Sequence, residues 1–157
     1  MLRKILIILI LNVISILAVD GMTFKYSSGG SISGNGNPGV IVLAVGLLFF
    51  IILLFNAGAL IRGFISKSRS RLVNIILPLI SILILGIMIK GETSKIRSLA
   101  NNLNGFTNNK DSVVYRFGWI NQYTNNLFFN GYIFFGGVAL MIFIVWVVTS
   151  PRQLKKI

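Results

Sequence analysis

Asp20, Glu92 and Asp111 are the only carboxylates in the chain, which contains no histidine and no cysteine. Acid–base or metal chemistry near neutral pH therefore falls to three acids, the side chains best suited to it that remain. A general acid or base needs a substrate or second carboxylate beside it, and a metal centre needs several converging ligands. The three acids lie far apart in sequence, and their spacing gives no reason for them to meet. Serines and threonines are present, but no histidine is available to activate a hydroxyl. Without cysteine there is no disulfide or thiolate chemistry, and no haem or zinc can be held through His or Cys. The glycine-rich stretch 27–39 contains no GxxxxGK[ST], and its GxGxxG match, Gly34 to Gly39, stands outside any βαβ pattern, so it reads as a flexible loop rather than a phosphate cradle. The expectation is a non-catalytic protein with no cofactor and no metal.

The elements that carry these residues are apolar. Of 157 residues, 55% are hydrophobic and 11% charged. Mean hydropathy is +0.85, whereas a soluble domain carries about 25% charged residues. Four stretches approach the ~20 apolar residues that cross ~30 Å of hydrocarbon: about 3–19, 40–61, 72–89 and 127–148. Arg3 and Lys4 are their only charges, and both can snorkel to the interface. The fold class expected is an all-α integral membrane protein, a four-helix transmembrane bundle bearing a small structured extracytoplasmic cap. The first stretch also has a signal peptide's basic start and short apolar run, with small residues around Val19-Asp20-Gly21. Asn12 and Asp20 sit awkwardly in a cleavable signal, so the reading adopted is an uncleaved first helix.

Polar residues inside the apolar stretches mark a second candidate site: Asn12, Asn56, Asn74, Pro78 and Ser81. No charge lies at mid-depth, and that argues against proton or ion coupling. Asn56 and Asn74 fall in the same third of adjacent helices, where a bond between their amides would contribute about 0.5–2 kcal/mol. Pro78 frees the carbonyl of Asn74, and Ser81 lies one turn later. The expected result is a kinked, packed helix; the alternative is a small hydrated cavity among Asn12, Asn56, Asn74 and Ser81. Gly58, Gly86, Gly136 and Gly137 are expected at close helix contacts.

The 15 Lys and Arg set the orientation. With the N-terminus inside, Arg3, Lys4, Arg62, Lys67, Arg69, Arg71, Arg152, Lys155 and Lys156 face the cytoplasm with no acid among them. All three acids then lie outside. Both termini are thus expected in the cytoplasm of a plasma membrane. Arg62, Lys67, Arg69 and Arg71, on the inner loop 62–71, are the expected contacts to anionic lipid. That loop is too small to bind nucleic acid, so no nucleic-acid partner is expected. The Ile- and Asn-rich usage suggests a low-GC bacterial source.

The outer loop 20–39 reads as flexible, with a short strand possible around residues 23–27. The outer segment 90–126 is too long for a mere connector. Ile96, Leu99, Ala100 and Leu103 repeat at helical spacing, which predicts a short amphipathic helix lying on the outer interface. Residues 112–117 have the β-branched and aromatic content of a strand, which would pair with residues 24–27 as a two-stranded patch. Trp119, Tyr123, Tyr132 and Trp146 fit an aromatic belt at the two interfaces.

Function is expected to reside in this outer segment. Ile96, Leu99, Leu103, Tyr115, Arg116, Phe117, Trp119 and Tyr123 form the candidate partner-binding set of an accessory, sensor or immunity-type protein. Its partners would be the bilayer with its anionic lipids and a protein, either another chain or a second copy. The alternatives are an oligomeric pore or transporter for a small polar solute, resting on the amides around Pro78, and a holin-like lysis protein, resting on small size and a basic tail.

Overall fold

The computed structural model describes residues 2–26, 36–68 and 71–154, without the side chains of residues 71, 72 and 151–154. Arg69 therefore lies outside the described residues. So does the Gly/Ser stretch 27–35.

Four long helices follow from the four apolar stretches: α1, Leu2–Gly21, α2, Gly39–Lys67, α3, Arg71–Asn102, and α6, Gly131–Leu154. Each belongs to a helical segment long and apolar enough to cross a membrane. Their apolar residues do not keep to one face. On α3, Ile75, Leu79 and Leu83 all remain exposed, so apolar side chains also cover surface that no other helix packs against.

Chain order is not packing order. α1 packs on α2, α2 on α6, and α6 on α3, so the last helix stands between the second and third. The centre of this row is aromatic. Phe50 of α2 lies 5.8 Å from Phe129 and 5.3 Å from Phe134, ring centre to ring centre. Val19, Leu43 and Leu53 complete the buried cluster. The helices approach closely because small residues face these rings. A Cβ at Gly137 would fall 2.5 Å from Phe50, and one at Gly46 would fall 2.8 Å from Phe129. Gly58 and Gly136 also sit at close contacts, against Met141 and Met88, whereas Gly86 faces open space.

Two features differ from the sequence expectation. First, the segment carrying Ile96, Leu99 and Leu103 is no separate helix at an interface. Ile96 and Leu99 lie in the last part of α3, whose 32 residues extend about 48 Å at ~1.5 Å per residue, and Leu103 follows directly after its end. Nothing between residues 89 and 96 stops a helix: Lys90, Glu92 and Lys95 are good helix formers, and the single glycine, Gly91, is tolerated. Second, the expected two-stranded patch does not form, and no strand occurs among the described residues. Residues 113–117 form a short helix, α4, Val113–Phe117. Ser112 is its N-cap, and the hydroxyl accepts from the backbone N–H of Tyr115 at 3.0 Å. A capping serine followed by a turn overrode the β preference of Val113, Val114 and Tyr115. Residues 24–26 do reach the outer segment, but Phe24 donates its N–H to the carbonyl of Gln122 at 2.8 Å. A further short helix, α5, Asn125–Phe128, leads into α6.

Candidate functional site

Residues 99–130 form a cap at the end of the bundle where α1 and α3 finish and α2 and α6 begin. The cap has its own core. Leu103, Val113, Val114 and Tyr123 are buried together, with Tyr26, Leu99 and Phe106 packed around them. Tyr26 meets Tyr123 edge to face at 5.9 Å. The chain turns at Asn104 and Gly105, both at positive φ (61° and 90°), a conformation Gly and Asn adopt at little cost. Side chains tie down the backbone that makes no regular ladder. Asn121 accepts from the Tyr123 N–H at 2.8 Å and donates to the Gly118 carbonyl at 2.7 Å. Thr124 donates to the Trp119 carbonyl at 2.6 Å.

This core divides the eight candidate partner-binding residues. Leu103, at 0% exposure, and Tyr123 are spent inside the cap, with Leu99 and Ile96 half-buried. Tyr115 (53%), Phe117 (40%) and Trp119 (46%) face outward, as does Arg116. Arg116 reaches the exposed Asp111 carboxylate at 3.2 Å, a pairing of the kind that contributes little. Trp119 leans on Phe106, 4.9 Å between ring centres. Ile120, not among the expected residues, is 54% exposed. Phe117 and Ile120 wall a hollow of about 180 Å³ whose rim carries Asn37 and Asn121. These outward apolar side chains lie on a part of the chain that has already closed its own core.

Beneath the cap lies a polar junction that the spacing of the acids did not reveal. Asn130 precedes α6, and its Oδ1 accepts from the N–H groups of Tyr132 (2.8 Å) and Ile133 (3.2 Å), capping the helix. Its Nδ2 donates to Glu92 Oε2 on α3 at 2.9 Å and to the carbonyl of Asn126 at 2.8 Å. One amide thus uses both acceptor and both donor positions to fasten α3 to the start of α6. Asn126 Nδ2 donates to Asp20 Oδ1 at the end of α1, 3.0 Å away. Lys95 Nζ donates to the Asn126 carbonyl at 2.8 Å, with Glu92 and Asp20 as the charges acting on it. Asn37 and Asn125 exchange amide bonds of 2.9 and 2.6 Å, joining the start of α2 to the cap. Two of the three acids therefore meet one network from different helices, Asp20 from α1 and Glu92 from α3. The sequence signal was present in the amides Asn125, Asn126 and Asn130, gathered where an apolar run begins.

The second candidate cluster does not converge. Asn12 donates to Ile8, Asn56 to Ile52 and Ser81 to Leu77, each to the carbonyl one turn earlier in its own helix at 2.8 Å. Ser81 thereby serves Leu77 rather than the carbonyl of Asn74. Pro78 is accommodated within continuous α3. Asn12 lies on α1, which packs on α2, while Asn74 and Ser81 lie on α3, which packs on α6. On the basic-loop end, Arg62 lines a cleft of about 550 Å³ between α2 and α6, beside Gly58, Ala59 and Val145. Lys67 is exposed at the end of α2, and Arg71 begins α3.

Comparison with models of known protein families, with curated proteins and with solved structures finds no match to this chain.

Proposed function

We propose that this chain is a non-catalytic, multi-pass membrane protein that acts by binding a protein partner through its extracytoplasmic cap. Both termini and the basic loop then face the cytoplasm of a cell membrane, and Arg62, Lys67, Arg69 and Arg71 are the proposed contacts to anionic lipid headgroups. The supporting observation is the division of the cap. Its core is closed by Leu103, Val113, Val114 and Tyr123, yet Tyr115, Phe117, Trp119 and Ile120 stay outside it. Aromatic anchors with an arginine among them are the composition of interface hot spots. The amides offer the pore reading no common cavity, since Asn12, Asn56 and Ser81 each bond within their own helices.

Photo-crosslinking in intact cells tests the proposal. A photoreactive phenylalanine at Tyr115 or Ile120 should give a discrete protein adduct, lost when Phe117 is changed to Asp. The same probe at Leu83 on α3 should give none. Adducts to lipid alone at Tyr115 and Ile120 would identify the rim as an aromatic anchor and refute partner binding.

A further inference from the structure

The row α1–α2–α6–α3 leaves its two outer members without substantial contact with each other. The space between them, over the start of α6, is a cleft of about 640 Å³, within the ~300–1,000 Å³ of small-molecule sites. Its deeper walls are apolar: Ile16 and Leu17 from α1, Met88 from α3, and Phe135 from α6. Gly91 permits this shape. A Cβ there would fall 2.3 Å from the Tyr132 ring, so the ring lies directly on the α3 backbone and lines the cleft. The end nearest the cap is polar, lined by Asp20, Ser94, Lys95 and Ser98. One end thus offers a cation and an anion together, and the other offers only hydrocarbon.

We propose that this cleft binds one phospholipid carrying a primary ammonium, a phosphatidylethanolamine, entering sideways between α1 and α3. Lys95 spends one N–H on the Asn126 carbonyl and retains two donors for the lipid phosphate, assisted by the hydroxyls of Ser94 and Ser98. Asp20 accepts one bond from Asn126 and retains acceptor capacity for the ammonium. The surrounding network is short of donors rather than acceptors: Glu92 Oε1 and Asn126 Oδ1 are buried without a hydrogen-bond partner. With two carboxylates to one lysine, the site disfavours a headgroup that brings only negative charge. A choline headgroup brings positive charge but no N–H, and it leaves the carboxylate without a hydrogen bond. The inference requires the membrane reading but is independent of cap binding, because none of these residues lies on the exposed cap rim.

Native mass spectrometry of the full chain in a mild detergent tests it, with phosphatidylethanolamine, phosphatidylcholine and phosphatidylglycerol of matched acyl chains added in equal amounts. The expected result is one retained phosphatidylethanolamine per chain, favoured over each competitor about tenfold, or ~1.4 kcal/mol. Retention should fall stepwise as the ammonium is mono-, di- and trimethylated. It should also fall in Asp20→Asn and Lys95→Gln. Leu17→Trp, which fills the apolar wall and leaves the charges intact, should reduce retention of all three lipids, and the thermal transition of each variant reports whether it is folded. Equal retention of the three lipids, preference for phosphatidylglycerol, or a lipid-free dimer occupying the cleft would each overturn the proposal.

Discussion

Asn130 holds the junction between cap and bundle, and the consequence of replacing it follows from its four hydrogen bonds. Asn130→Ala removes the N-cap of α6, at about 1 kcal/mol. It also removes the donor to Glu92 Oε2 at 2.9 Å. A hydrogen bond to a charged group contributes about 1.5–3 kcal/mol, and the low end applies because Glu92 is only partly buried. The total expected loss is about 2–3 kcal/mol, a sizeable share of an ordinary stability of ~5–15 kcal/mol. Asn130→Asp is the more revealing change. Aspartate caps a helix as well as asparagine does, so a capping role alone leaves this variant near wild type. The structure instead sets a second carboxylate against Glu92, in place of a donor. At pH 7 the Asp variant should therefore be no more stable than the Ala variant. Repulsion raises the carboxyl pair's folded-state pKa above its unfolded range of about 3.9–4.3. Protons are then taken up on folding, and stability returns as the pH falls from 7 towards 4. The Ala variant should lack that recovery. Denaturation of the purified chain in mixed micelles at pH 7 and pH 4.5, followed by circular dichroism, measures both. An Asp variant as stable as wild type at pH 7 would refute the contact with Glu92.

Gly137→Val should destabilise the bundle by about 1–3 kcal/mol, since the added Cβ meets Phe50 at 2.5 Å; the same denaturation series reads it. Ser112→Ala should cost about 1–2 kcal/mol by removing the α4 cap and the bond its hydroxyl donates to the Phe106 carbonyl. The effect should be local, seen as faster hydrogen exchange in residues 104–124 with the long helices unchanged. Tyr123→Ala should loosen the cap by about 3–5 kcal/mol, because Tyr123 is buried in its core. Tyr115→Ala, at an exposed position, should stay within ~0.5 kcal/mol, and limited proteolysis of the cap separates the two.

The four long helices were legible because an apolar stretch of this length has few alternatives, and the breaks between stretches are marked by charge or glycine. Their packing order was less legible, since residues such as Ile75 and Leu83 look alike whether they meet lipid or another helix. The position of α6 between α2 and α3 depends on the fit of Phe50 against Gly137, a contact between distant parts of the chain. In the cap, Val113, Val114 and Tyr115 carry a β preference, but preference is weak beside one well-placed N-cap at Ser112. The helical spacing of Ile96, Leu99 and Leu103 was legible, whereas their use differed: Leu103 and Leu99 close the cap rather than face a partner. The junction of Asp20, Glu92, Lys95, Asn126 and Asn130 could not be read from spacing. Its members come from three segments that meet only after the helices have packed.

Every functional statement depends on the cap and the basic loop lying on opposite sides of a bilayer. The chain contains no cysteine, so single substitutions can report sidedness without background. Asn108→Cys in the cap and Lys67→Cys at the end of α2 should be expressed separately and treated with a membrane-impermeant maleimide in intact cells. The account requires labelling at residue 108 without permeabilisation and at residue 67 only after it. The reverse pattern, or equal labelling at both positions in intact cells, would contradict it.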